Sequence, residues 1–118
     1  MSDAENKAIS QQFYDVFNHG DVNSEQVRAW FAPGYVSHTP SFGDVDVNAV
    51  LAYFTGLRAQ YPDGQFTVDE MLTAEGGRVV ARLTFRATDP ASGQPLVTRS
   101  IGIFRYADGL AVEAWSAG

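Results

Sequence analysis

Ile9, Phe13, Val16 and Phe17 fall at i, i+4, i+7 and i+8. That stripe predicts an amphipathic helix over about Asp3–Asn18. Asp3 and Glu5 favour its start through the helix dipole, and Gly20 suits the left-handed position after its end. Asn23 or Ser24 caps a short second helix that holds Val27, Trp30 and Phe31 and stops at Pro33-Gly34. Tyr35–Thr39 alternates weakly before Pro40 and predicts a short strand, followed by a loop over Ser41–Val45. Val47, Val50, Leu51, Phe54 and Leu57 share one face of a third helix, about Asp46–Gln60. Gly56 inside it costs about 1 kcal/mol relative to alanine, or marks a close packing contact.

Tyr61-Pro-Asp-Gly64 then reads as a turn. Four strands follow, about Gln65–Glu75, Arg78–Thr88, Leu96–Ala107 and Leu110–Ser116. Gly76-Gly77 and Asp108-Gly109 are two-residue connections of the tight-hairpin kind; Asp89–Pro95 is longer and polar. On Arg78–Thr88, Val79, Ala81, Leu83 and Phe85 point one way and belong against the helices. Val80, Arg82, Thr84 and Arg86 point the other way, to water or another subunit. Helices followed by hairpin-linked strands give an α+β fold, a curved sheet closed by three helices around a hollow. One domain spans residues 1–118, with no internal repeat and no linker.

Composition narrows the partners. Fourteen acids against eight bases leave a formal charge of −6, which disfavours nucleic acid and anionic membrane surfaces. No apolar run reaches the roughly 20 residues of a spanning helix, and the start of the chain is polar and acidic rather than a signal peptide. With no cysteine there is no disulfide or thiolate chemistry, a pattern that fits a cytoplasmic location. Two histidines without metal-ligand spacing, and no glycine-rich phosphate loop, imply neither metal nor nucleotide cofactor.

Phe31-Ala-Pro-Gly-Tyr-Val-Ser-His38, Tyr61-Pro-Asp63, Ile103-Phe-Arg-Tyr-Ala-Asp-Gly109 and Val112-Glu-Ala-Trp115 resemble the SnoaL-like polyketide cyclases of the nuclear transport factor 2-like superfamily. The resemblance covers nearly the whole chain. It implies a cone-shaped fold, three N-terminal helices on a curved, mostly antiparallel sheet, and a homodimer formed through the outer sheet face. It also implies cofactor-free aldol cyclisation, in which an aspartate a few residues beyond the final-strand tryptophan shuttles protons. Here Trp115 is followed only by Ser116-Ala117-Gly118, so that carboxylate has no counterpart. The superfamily's ketosteroid isomerases are not matched either: their base aspartate aligns with Thr39 and their tyrosine donor with Phe13.

His38 is the first candidate for proton handling, since an imidazole titrates near neutral pH; the plainer alternative is a structural hydrogen bond. Glu113 is an acid/base candidate if it enters the cavity, or a salt-bridge partner of Arg99 or Arg105 on a neighbouring strand. Asp63 either reaches the cavity mouth or caps its turn. His19, at a helix end, reads as structural. Tyr14, Trp30, Tyr53, Phe54, Phe104 and Trp115 are the aromatic wall expected to bind a small apolar or aromatic molecule. Two functions follow: a cofactor-free isomerase, cyclase or dehydratase, or a non-catalytic ligand-binding or dimerisation module of the same fold.

Overall fold

A computed structural model describes residues 2–117. Its elements are α1 (Asp3–His19), α2 (Glu25–Arg28), β1 (Phe31–Thr39), β2 (Gly43–Val45), α3 (Val47–Gln60), β3 (Gln65–Ala74), β4 (Arg78–Thr88), β5 (Pro95–Ala107) and β6 (Leu110–Ala117). The strands form one curved sheet in the order β2-β1-β6-β5-β4-β3. All neighbours are antiparallel except β1 and β6, which run parallel. Helix α1 lies over β3 and β4, and α3 approaches β1. No helix among the described residues is long and apolar enough to cross a membrane.

Local chemistry sets most element ends. Ser2 and Glu5 form a reciprocal capping box that starts α1. Ser24 and Asp46 cap α2 and α3 by accepting backbone N–H groups. Asp108 (φ 52°) and Gly109 (φ 79°) make a two-residue turn with both central residues left-handed, as the sequence predicts. The β3–β4 connection has three residues rather than two, because Ala74 pairs with Arg78 and Glu75 joins the turn.

Three other expectations are corrected. Gly20 is extended, not left-handed; leaving the helix this way carries Val22 into a buried cluster with Phe17 and Phe85. Trp30 and Phe31 do not belong to α2. Phe31 opens β1 and pairs with Ala111, and Trp30 accepts a hydrogen bond from the Ala111 N–H. Pro33-Gly34 lies where the register shifts between Phe31 and Val36, so the missing proline N–H interrupts no ladder bond. The Ser41–Val45 loop contains β2, which pairs with Ser37–Thr39.

The stripe on α1 is also rotated from the predicted one. Its buried residues are Asn6, Ser10, Tyr14 and Phe17, whereas Ile9, Phe13 and Val16 are only half-buried. Ile9 and Phe13 border a hollow between helices and sheet, and so do Val50, Phe54 and Leu57 of α3. On the other face of the sheet Thr84 is buried rather than exposed, since its hydroxyl donates to Asp69 at a bulge in β3. Around Gly56 a β-carbon would meet nothing within 4 Å, so the glycine marks no packing contact. Gly56→Ala is therefore expected to stabilise the fold by about 0.5–1 kcal/mol, read as a higher urea midpoint at unchanged slope. A lower midpoint would contradict that open surroundings.

Candidate functional site

The hollow has a volume of about 1070 Å³. This lies at the upper end of the range of roughly 300–1,000 Å³ for small-molecule sites. Its floor is the concave sheet face, where Leu83, Phe85, Gly102, Phe104, Tyr106, Ala111 and Ala114 point inward. Residues of α1 and α3 form the roof, and the β1–β2 turn forms part of the rim. Two large aromatics on the lining, Phe42 (69% exposed) and Tyr53 (51% exposed), also reach solvent and mark an opening. Thr39 shapes the turn that carries Phe42, accepting from the Phe42 N–H (2.9 Å) and donating to the Gly43 carbonyl (3.0 Å).

Tyr14, Trp30, Tyr53, Phe54, Phe104 and Trp115 all border this hollow. No charged side chain lines it among the described residues. Its polar side chains are hydroxyls and the Gln60 amide, beside the indoles of Trp30 and Trp115. Tyr106 and Ser10 share a 2.6 Å hydrogen bond, and the Ser10 hydroxyl also reaches the Asn6 carbonyl (3.1 Å). Burial holds the three inner phenols protonated. It drives the Tyr14 phenol far above its ordinary range, with Tyr106 and Tyr35 adding to the effect. The Tyr35 phenol is pushed up to about 12, mainly by burial and partly offset by the neighbouring Ser37 hydroxyl. Tyr106 is raised by burial as well, with the Ser10 bond opposing. Sequence reasoning overlooked Tyr35, Tyr106, Ser10 and Ser37. A polar stripe Asn6-Ser10-Tyr14, at helical spacing beside an apolar one, was the available signal.

His38, Glu113 and Asp63 are not on this lining. In β1, Tyr35, Ser37 and Thr39 face the hollow, so His38 projects from the opposite, outer face. There it joins a row of alternating charge across the sheet. His38 Nδ1 meets Asp44 Oδ1 at 2.7 Å and Nε2 meets Glu113 Oε2 at 2.6 Å; Arg105 donates to Glu113 Oε1 at 3.1 Å. The imidazole stacks on the Trp115 ring (5.4 Å between centroids), and the Arg78 guanidinium lies 5.9 Å from that ring. Trp115, on the interior strand β6, thus borders the hollow near that strand's C-terminal end while its indole face serves the outer row. Asp63 ties its turn to the end of β4, accepting from the Thr88 N–H at 3.1 Å; the Thr88 hydrogen bonds hold its carboxyl below the usual range. His19 is exposed in the last turn of α1.

Hydrogen bonding to Glu113 first, and to Asp44 next, raises the His38 pKa above its ordinary 6.5. The same His38 contact, then Arg105, lowers Glu113 below its ordinary 4.5. A raised imidazole stabilises the fold fully below about pH 6.5, and this is lost as pH rises through its folded value. A depressed carboxyl stabilises above about pH 4.5, and this is lost as pH falls through its folded value. The row therefore contributes most between these limits. Urea midpoints should decline from pH 6 to pH 8, and His38→Gln should flatten that decline. An unchanged slope in the variant would assign the pH dependence to other groups.

A curved α+β sheet enclosing an uncharged, aromatic-walled hollow is a small-molecule-binding architecture. The SnoaL-like domain family matches residues 10–114, and the chain belongs to that family. No curated protein sequence matches the chain. Among solved structures, IdmH, a proposed polyketide cyclase from Streptomyces antibioticus, is 25% identical with a TM-score of 0.84, covering 95% of this chain and 90% of its own. AclR, a proposed hydroxylase from Streptomyces galilaeus, is 24% identical with a TM-score of 0.85, covering 98% and 76%. A SnoaL-like polyketide cyclase proposed in Jannaschia sp. CCS1 is 22% identical with a TM-score of 0.80, covering 97% and 85%. The last two likenesses establish the nuclear transport factor 2-like fold alone.

Proposed function

We propose that this SnoaL-like domain binds a small, flat, uncharged molecule in its hollow, without a metal or organic cofactor. The observation that carries the reading is a roughly 1070 Å³ space walled by aromatic and aliphatic side chains, whose polar groups, mostly hydroxyls, carry no charge. A charged ligand would lose its hydration there and meet no counter-ion. The test titrates the purified protein with 1,8-dihydroxyanthraquinone, following tryptophan quenching. Ser100 lines the hollow opposite Leu83 in the β4–β5 ladder, so Ser100→Trp should fill the space and weaken binding at least tenfold. His38→Ala should leave affinity unchanged. Equal binding by wild type and Ser100→Trp would remove the hollow as the site.

A second reading is that the bound molecule is isomerised, cyclised or dehydrated. The 25% identity to IdmH supports it. Under this reading His38 and Glu113 do not touch the ligand, and a lining phenol or the ligand itself carries the proton.

We also propose that a second copy of the chain covers the outer sheet face. Leu72 pairs with Val80, Val80 with Ile103 and Ile103 with Trp115, an apolar row across four strands. Leu72 (53%) and Ile101 (50%) are strongly exposed on that face. Sedimentation should give a dimer that Ile101→Lys dissociates; a wild-type monomer at high concentration would end this proposal.

A further inference from the structure

β2 ends the sheet and pairs only with β1, through Ser37–Val45, His38–Asp44 and Thr39–Gly43. The flap from Thr39 to Val45 has two sides. Thr39, Pro40, Ser41, Phe42 and Val45 border the hollow at its mouth, whereas the His38–Asp44 side-chain pair lies on the outer face. A contact outside the cone thus fastens a segment that rims the inside. Asp44 is 70% exposed and has no other side-chain hydrogen bond among the described residues.

His38 stands between two carboxylates, Asp44 of β2 at 2.7 Å and Glu113 of β6 at 2.6 Å. Arg105 of β5 grips the far oxygen of Glu113, and Arg78 of β4 lies over the Trp115 ring on which the imidazole stacks. An imidazolium donates from both nitrogens and holds both carboxylates. A neutral imidazole has one N–H and turns a lone pair on one of them. Glu113 cannot retreat, because Arg105 holds it and β6 is paired on both sides. The bare nitrogen therefore falls to Asp44, which is free to swing into water. Glu113 first, then Asp44, keep the proton on His38 above its ordinary 6.5. The tie is thus complete below about pH 6.5 and is lost as pH rises through the folded value.

We propose that the His38–Asp44 pair is a proton-operated latch on the Thr39–Val45 flap, which slows passage of ligand through the mouth and frees the flap when His38 loses its proton. The latch touches no ligand, so it changes entry and exit alike and leaves affinity as it is. The gating role rests on the proposed binding in the hollow; the latch itself does not.

Amide hydrogen exchange reads the flap with no ligand present. Protection of the β2 amides and the Phe42 N–H is corrected for the pH dependence of chemical exchange and referred to β4 and β5. In wild type it should fall about fivefold between about pH 6 and about pH 9, the scale of one partly exposed ion pair. Asp44→Ala should start at the lower protection and show no such fall. Stopped-flow tryptophan quenching with 9-fluorenone, which does not titrate in this range, reads the gate at fixed protein concentration. Its association and dissociation rates should rise together by a similar factor, with Kd unchanged, and Asp44→Ala should exchange fast at both pH values. Flap protection that is independent of pH, or that keeps its pH dependence in Asp44→Ala, overturns the latch. A pH-dependent flap with constant ligand exchange rates overturns its control of the mouth. If 9-fluorenone does not bind wild type up to its solubility, the hollow is refuted as a ligand site and the gating with it, and the protection factors still decide the latch.

Discussion

Phe17→Ala is expected to lower the unfolding free energy by about 3–5 kcal/mol, a large part of the 5–15 kcal/mol typical of a domain. Phe17 is almost fully buried, with its ring against Phe54 (5.9 Å), Phe66 (5.0 Å) and Phe85 (6.2 Å). The Arg58 guanidinium lies 4.5 Å from the ring centre and donates to the Phe17 carbonyl (2.9 Å) and the Pro62 carbonyl (2.8 Å). One ring thus joins α1, α3 and two strands at the end of the hollow nearest the Tyr61 turn. Alanine leaves a cavity that these neighbours can close only in part, and it removes the face on which Arg58 rests. Urea denaturation followed by circular dichroism measures the loss. Phe13→Ala, one helical turn earlier, provides the contrast. Phe13 borders space that is already open, so its removal should cost no more than about 2 kcal/mol, the transfer part alone. Equal losses at the two positions would mean that the hollow beside Phe13 is not open in solution.

The fold was legible because its signals are local. Period-2 alternation in β4, the Asp108-Gly109 turn and the spacing on α3 each specify an element without help from the rest. Where the reading failed, a distant partner decided. Phe31 leaves the helical pattern because β6 offers a parallel ladder, and β2 forms only because β1 is beside it. The site was half legible for the same reason. The six aromatics expected on a wall all border the hollow, five among its inward-facing side chains and Trp115 with its ring stacked on the outer row. The direction of His38 was not legible. A bulge at Pro33-Gly34 stands between Phe31 and Tyr35, and any reading of strand faces carried across it loses its parity. Glu113 lies on that same face, and its pairing with Arg105 is one of the two roles its strand position predicts. Tyr35 and Tyr106 were missed because tyrosine reads as core. Whether a phenol is satisfied depends on contacts nearly a hundred residues apart, as with Ser10 and Tyr106.

Gly77→Ala is expected to cost about 3 kcal/mol or more, while Gly76→Ala, next to it, should cost only about 1 kcal/mol. Both glycines are left-handed, at φ 71° and 73°, so each alanine carries the same backbone strain. What differs is the neighbour. A β-carbon on Gly76 would sit 2.5 Å from the Arg78 guanidinium, a flexible group that can swing away. On Gly77 it would sit 2.5 Å from the Tyr106 backbone carbonyl oxygen, which belongs to a strand paired on both sides. Relief requires β5 and the turn to part, which breaks the 2.9 Å bond from the Tyr106 N–H to the Gly77 carbonyl. The same displacement moves the Tyr106 phenol, which lines the hollow, relative to Ser10. Gly77→Ala should therefore lower the urea midpoint and, in the fraction still folded, weaken binding of 1,8-dihydroxyanthraquinone in the hollow. Gly76→Ala should leave that binding unchanged. Matching losses in the two variants would show that φ alone sets the cost, and that the approach of the turn to Tyr106 contributes nothing.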